Sequence, residues 1–200
     1  MATKDHTLDE KITAAAREEF LEKGFEKASV RKIADRAGIT TGALYTRYRN
    51  KDALFASLLE KAGKTIAAHG EELTRGYLDV RAHPDADAFL AAMNREAAVY
   101  LDLLFDHYED CLLLFCRSRG SSVEANLEAM MDRKARETAE FLQSISPKEL
   151  DPDGVAMIIK DQFSMYRTIL EKGFTREKTI SCLRTVEAFQ TAGWKSFLEN

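Results

Sequence analysis

Six basic side chains crowd one short stretch of this 200-residue chain. Arg31, Lys32, Arg36, Arg47, Arg49 and Lys51 lie between Ser29 and Lys51 with a single acid, Asp35, a local net charge of +5. The whole chain carries −4, so the residues outside that stretch carry −9. A compact basic end on an acidic chain is the electrostatic footprint of a protein that holds a phosphate backbone. Charge by itself describes a solvated basic surface equally well. Spacing separates the two readings.

In SVRKIADRAGITTGALYTRYRNK, Ser29 can cap a short helix whose apolar face is Val30, Ile33, Ala34 and Ala37. Gly38 follows where two helices must meet at a sharp angle, a place that favours positive φ. Ile39 plugs the turn and Thr40 can cap a second short helix, from which Leu44 and Tyr48 face inward. Thr41, Gly42, Ala43, Tyr45, Thr46 and Arg47 are left outward, and the small Ala34 lets the two helices approach closely. This is the spacing of a helix-turn-helix, whose second helix enters the major groove of DNA.

The elements around this stretch are helical. Ten glycines and three prolines in 200 residues are about half the usual share, which predicts long uninterrupted elements. Leu8, Ile12, Ala15, Ala16 and Phe20 recur at three-to-four spacing and end at Gly24, and similar runs follow over 89–108, 158–170 and 180–197. No segment alternates as a strand would. The expected fold is all-α with about nine helices, three of them short and within the first fifty or so residues. Breaks fall at His83-Pro84-Asp85, at Arg119–Ser122, from Ser146 to Gly154, and at Gly173. A long helix candidate over Asp52–Val80, weakened by Gly63, Gly70 and Gly76, reads either as a lever or as a surface helix.

The first residues, MATKDHTLDEK, contain no apolar signal region, and the longest apolar runs, such as CLLLFC from Cys111 to Cys116, fall far short of a membrane span. Three cysteines without CxxC pairing suit free thiols in a reducing compartment. The expectation is a soluble cytoplasmic protein with no membrane partner.

The stretch from Lys11 to about Leu59 resembles the TetR-type transcriptional regulators. The apolar first helix, the Gly24-Phe25 bend, the Ser29-Val30 start of the second helix, the Ile33-Ala34…Ala37-Gly38 core and Leu44-Tyr45…Tyr48…Lys51 carry the resemblance. It covers about a quarter of the chain, and the remainder agrees in length and helical character. The resemblance implies that Tyr45 and Lys51 contact DNA backbone and that the Ser29 hydroxyl both caps and faces a phosphate. It places Arg31 within reach of a base edge, where a bidentate pair with guanine is worth about 1–3 kcal/mol of discrimination. It makes Thr41, Gly42, Ala43 and Thr46 the variable recognition positions, with little direct hydrogen-bond readout from Gly and Ala. Arg47 stands where the family more often has histidine, which leaves phosphate and base contact both open. With Thr40 as cap, the expected DNA-binding set is Ser29, Arg31, Thr40, Thr41, Gly42, Ala43, Tyr45, Thr46, Arg47 and Lys51.

This divides the chain into a helix-turn-helix DNA-binding domain over 1–51 and a helical effector-binding and dimerisation domain over 52–200. In the second, Tyr100, Phe105, Tyr108, Cys111, Phe115, Met130, Phe163 and Tyr166 are the candidate effector-binding residues, although an ordinary core would use the same residue types. The wide apolar faces of the last two helices, with Met157, Met165, Phe189, Trp194 and Phe197, suit burial on two sides. The resemblance implies a homodimer joined there by a four-helix bundle, on a pseudo-palindromic double-stranded operator. No catalytic residue, metal site or cofactor is expected. Glu-x-x-His pairs, HExxH, GxSxG and a P-loop are all absent, and Asp106–Cys111 matches no metal-ligand spacing. The function expected is a regulator, not an enzyme: a repressor released from its operator by a small-molecule effector. The alternative is a helical small-molecule binding module without DNA binding.

Overall fold

The computed structural model describes residues 6–60, 62–65 and 86–199. Among them every regular element is an α-helix: α1 (His6–Lys27), α2 (Val30–Ala37), α3 (Thr41–Arg47), α4 (helical over 51–60 and 62–65), α5 (Ala86–Asp106), α6 (Tyr108–Cys116), α7 (Ser122–Ile145), α8 (Pro152–Lys172) and α9 (Arg176–Leu198). The all-α class is as the periodicity requires. The first helix is not short, however; its 22 residues are broken only at Gly24, where φ is 72°. The expected break at His83–Asp85, and Gly70 and Gly76, lie outside the described residues. Gly154 belongs to the first turn of α8 rather than to a loop, because Asp151 accepts from the Asp153 and Gly154 amides and starts the helix at Pro152.

The chain forms two compact units, one of Met1–Gly63 with Glu109–Leu127 and one of Lys64–Tyr108 with Glu128–Asn200. The first therefore takes in residues beyond 51 and a later segment. Its core is Ile12, Ala16 and Phe20 from α1, Ile33, Ala34 and Ala37 from α2, Leu44 from α3, Leu54, Phe55 and Leu58 from α4, and Leu113 from α6. Phe20 and Phe55 meet edge to face at 4.9 Å between ring centroids, and Phe25 lies 5.3 Å from Phe55. Aromatic contacts of this kind add about 0.5–1.5 kcal/mol beyond the area they bury.

Leu113 has sequence-distant neighbours because α6 is strapped to the end of α1. The Gly24 bend presents the Phe25 amide to the Arg117 carbonyl at 2.7 Å, and the Arg117 guanidinium donates to the Leu21 carbonyl at 3.0 Å. At the start of α7, Asp52 accepts from the Ser122 amide at 2.8 Å and from its hydroxyl at 2.6 Å. One carboxylate thus caps a helix seventy residues away in the chain.

A second carboxylate sits in the core itself. Glu19 is 1% exposed. Its Oε1 accepts from the Ser29 amide at 3.1 Å, and its Oε2 is 3.6 Å from the Arg36 guanidinium, beyond hydrogen-bond length. It places negative charge at the N-terminus of α2, whose own first turn has no acid.

The other unit has a separate core of Phe89, Ala135, Ala139, Phe141, Leu142, Val155, Ile159, Trp194 and Leu198. Phe89 touches both Phe141 and Trp194, at 5.9 and 6.1 Å between centroids. Gly173 ends α8 in the left-handed conformation, and Thr175 caps α9 two residues later.

Removing the Glu19 side chain leaves the Ser29 amide and the Arg36 guanidinium without their buried partner. Glu19→Ala is expected to lower unfolding stability by about 2–3 kcal/mol, and Glu19→Gln, which keeps an acceptor, by less. Urea denaturation followed by circular dichroism measures both, and an unchanged midpoint for the alanine variant contradicts the assignment.

Candidate nucleic-acid interface

The local chemistry of residues 29–48 sets the α2–α3 geometry. Ser29 is extended and its hydroxyl accepts from the Lys32 amide at 3.4 Å, capping α2. At the other end Gly38 has φ 71° and ψ 31°; its amide reaches the Asp35 carbonyl at 3.2 Å and the Ile39 amide reaches Ala34 at 3.0 Å. That double closure needs a left-handed residue. Nothing lies within 4 Å of a β-carbon built on Gly38, so backbone conformation rather than space calls for glycine there. Thr40 is extended and accepts from the Ala43 amide at 3.1 Å, starting α3. Leu44 is fully buried and Tyr48 packs partly against the same core, which fixes the rotation of α3.

Gly42, Ala43, Tyr45, Thr46 and Arg47 consequently face outward, with Thr41 half-buried and Tyr45 46% exposed. Thr46 returns its hydroxyl proton to the Gly42 carbonyl at 3.0 Å and keeps its oxygen as an acceptor. Arg31 and Thr40 are exposed, and Ser29 is half-buried. The structure therefore brings the sequence-derived set, Lys51 excepted, together around α2 and α3.

The charges are distributed less simply than the local sum of +5 suggests. Arg36 faces Glu18, Glu19 and Glu22 of α1. Arg47 is held by Asp9 of α1 at 2.7 Å. Lys51 donates to the carbonyls of Phe25, Glu26 and Ala28 at 2.7, 3.2 and 3.4 Å and lies 4.6 Å from the Phe25 ring centre. Its ammonium closes the end of α1. Arg31, Lys32 and Arg49 are the members of the basic cluster whose side chains have neither an ion pair nor a hydrogen bond among the described residues.

The C-terminal unit contains a cavity of about 280 Å³. Tyr100, Phe163 and Tyr166 of the sequence-derived effector set line it, beside Phe89, Met93, Ile159, Met165 and Trp194. The other five lie elsewhere. Phe105 lies under the Arg176 guanidinium, 5.7 Å from its ring centre. Tyr108 spends its hydroxyl on the Leu170 carbonyl at 2.9 Å, and Met130 is 38% exposed. Cys111 and Phe115 belong to the first unit, where burial pushes the Cys111 thiol up to about 12.

The sequence reading left out the polar lining. Lys134 of α7 is paired with Glu96 of α5, donates to the Tyr100 hydroxyl at 3.4 Å and lies 5.3 Å from that ring's centre. The signal was present: Glu96 falls between Met93 and Tyr100 on one helical face, and Lys134 between Leu127 and Leu142 on another. A charged residue at an apolar-face position is the informative deviation.

Burial pulls the Lys134 ammonium down to about 8 and pushes the Tyr100 and Tyr166 hydroxyls up to about 12. A lysine with a depressed folded value binds fewer protons folded than unfolded between about 8 and its unperturbed value near 10.4. Its charged form therefore costs stability below pH 8, and that cost is relieved as pH rises through the window. Relative to the double variant Glu96→Gln with Lys134→Met, the wild type is expected to gain thermal stability from pH 8 to pH 10. Parallel melting curves for the two proteins over that range contradict this.

Residues 12–58 match the family of bacterial regulatory proteins described as the tetR family. An HTH-type transcriptional repressor of Mycobacterium tuberculosis, Rv1474c, is 37% identical over 82 residues, a match that spans 40% of this chain and 44% of that protein. The fold is shared more widely. A TetR-like transcriptional regulator from Rhodococcus sp. RHA1 superposes with a TM-score of 0.60 at 19% identity, over 96% of this chain and 99% of the other. NalD, the secondary repressor of the MexAB-OprM multidrug efflux pump in Pseudomonas aeruginosa, gives 0.62 at 18% identity over 93% and 95%. FadR of Bacillus subtilis, in complex with stearoyl-CoA, gives 0.58 at 19% identity over 92% and 98%. The family match therefore covers the capped helix-turn-helix segment, and the likeness over the remainder of the chain is one of all-helical fold.

Proposed function

We propose that this chain is a ligand-responsive transcriptional repressor, working in the cytoplasm as a homodimer on a pseudo-palindromic double-stranded operator. The observation that carries the reading is the outward face of α3, set by the Thr40 cap and the buried Leu44 and flanked by Arg31 and Lys32 of α2, whose side chains have no ionic partner among the described residues. Phosphate contacts from Lys32, Arg49, Tyr45 and Ser29 would set register, and Arg31 with the α3 face would read bases. The dimer reading rests on α8 and α9, which leave Met157 71%, Ile158 41% and Phe189 80% exposed, whereas Trp194 is buried in the chain's own core. Two copies would then address successive major grooves about 34–36 Å apart. The largely apolar cavity with a few polar lining residues, and the stearoyl-CoA held by FadR of the same fold, support a small-molecule effector. An effector that favours one conformer shifts the population away from the DNA-binding one.

A gel shift against DNA upstream of the gene and its neighbours is expected to show sequence-selective, salt-sensitive binding. Arg31→Ala should relax preference at one base pair, with a loss of about 1–3 kcal/mol there, whereas Lys32→Ala should weaken all sequences alike and reduce the salt slope by about one. Lys51→Ala should also weaken binding, but through a lower unfolding midpoint, because its ammonium holds the end of α1. Ligand binding without any DNA shift would instead establish the alternative, a small-molecule binding module. Sedimentation of Phe189→Lys is expected to shift the dimer toward monomer; an unchanged mass places the interface elsewhere.

A further inference from the structure

The effector cavity is lined by opposite charges in equal number. Among the described residues its charged side chains are Glu96 and Lys134, paired with each other, and Arg184 and Glu187 of α9, which are exposed. An anionic ligand would meet an ammonium already neutralised by Glu96. It could engage Lys134 only by drawing the ammonium away from that carboxylate, or by adding its own charge beside it. A cationic ligand meets the mirror problem. Either weakens the existing Glu96–Lys134 pair, which costs more than a neutral hydrogen bond returns.

What the lining does offer is hydrogen-bond donors. Gln162 lines the cavity, and its side-chain nitrogen is buried with no hydrogen-bond partner among the described residues. Lys134 spends two of its three N–H groups, on Glu96 and on the Tyr100 hydroxyl. A buried donor without an acceptor is a standing cost that a ligand oxygen removes. The walls around these donors are aromatic: Tyr100 and Tyr166 lie 5.8 Å apart between centroids, and Phe163 and Trp194 also face the space.

From the paired charges and the unmet donor, we infer that the effector is an uncharged, flat or chain-like apolar molecule bearing a carbonyl-type acceptor oxygen, received by Gln162 and Lys134 while the Lys134–Glu96 pair stays intact. This rests on the effector-binding reading above and names the chemistry of that site. Ketones, esters, amides and lactones satisfy it, whereas carboxylates and amines of the same skeleton do not. Specificity then lies in the oxygen, because a site built to donate to one discriminates against the bare hydrocarbon.

Trp194 is the chain's one tryptophan and lines the cavity, so its fluorescence reports occupancy directly. Four probes of one skeleton separate the possibilities: methyl naphthyl ketone, naphthoate, naphthylmethylamine and naphthalene. On the full-length protein near neutral pH, the ketone is expected to bind about tenfold more tightly than each of the other three, the equivalent of about 1.4 kcal/mol. Gln162→Leu should remove most of the advantage of ketone over naphthalene and leave naphthalene unchanged. The double variant Glu96→Gln with Lys134→Met, which retains shape and avoids a buried lone charge, should reduce that advantage further. Tighter binding of naphthoate or of the amine overturns the inference, as does failure of all four probes to bind or an unaltered ketone preference in Gln162→Leu. A parallel gel shift separates this from the functional reading. Ketone binding in the expected order with no effect on DNA would keep the ligand class and remove the effector role. DNA release by a charged probe bound at Trp194 would do the reverse.

Discussion

A carboxylate with almost no solvent constrains the N-terminal unit more than any single apolar contact. Glu19 is 1% exposed, where an uncompensated charge would be intolerable. It is tolerable only with α2 in one position, so that the Ser29 amide donates to one oxygen and Arg36 approaches the other. Hydrophobic packing would accept several rotations of α2 against α1; the buried charge accepts few. Everything after α2 inherits that choice. The left-handed Gly38, the Thr40 cap and the depth of Leu44 then place α3 by short-range geometry.

Much of this was legible in the sequence, for a physical reason. The caps at Ser29 and Thr40, the left-handed Gly38 and the inward Leu44 are decided within three or four residues, so local spacing specifies them. The ionic arrangement was not legible. Arg47 finds Asp9, Arg36 finds Glu18, Glu19 and Glu22, and Lys51 finds the carbonyls of residues 25, 26 and 28. Each partner is separated from its base by fourteen to thirty-eight residues or comparable distances in the chain, and a local charge sum cannot register it. The cluster that looked uniformly available for phosphate is partly internal scaffolding.

The cavity shows the complementary limit. An aromatic-rich stretch identifies residues that want to be buried, not the ones that face a void. Tyr100, Phe163 and Tyr166 line it, while Phe105, Tyr108 and Phe115 are turned to other neighbours by rotations that composition does not encode. Glu96 and Lys134 were the better markers, since a charge placed on an apolar helical face must have a partner across the gap. In both units, then, the decisive position is a buried ionisable group whose partner comes from another helix.

The division of labour around α3 also bears on how such a protein changes over time. Folding duty there falls on Thr40, Leu44 and the α2 core, whereas Gly42 and Ala43 are outward. A side chain added at Gly42 would meet nothing closer than the Thr40 hydroxyl, at an ordinary 3.8 Å. These two sites are open to mutation without disturbing the scaffold beneath them. Under the DNA-binding function proposed above, sequence preference could drift, or be redesigned, one exposed residue at a time while the domain that carries it stays the same.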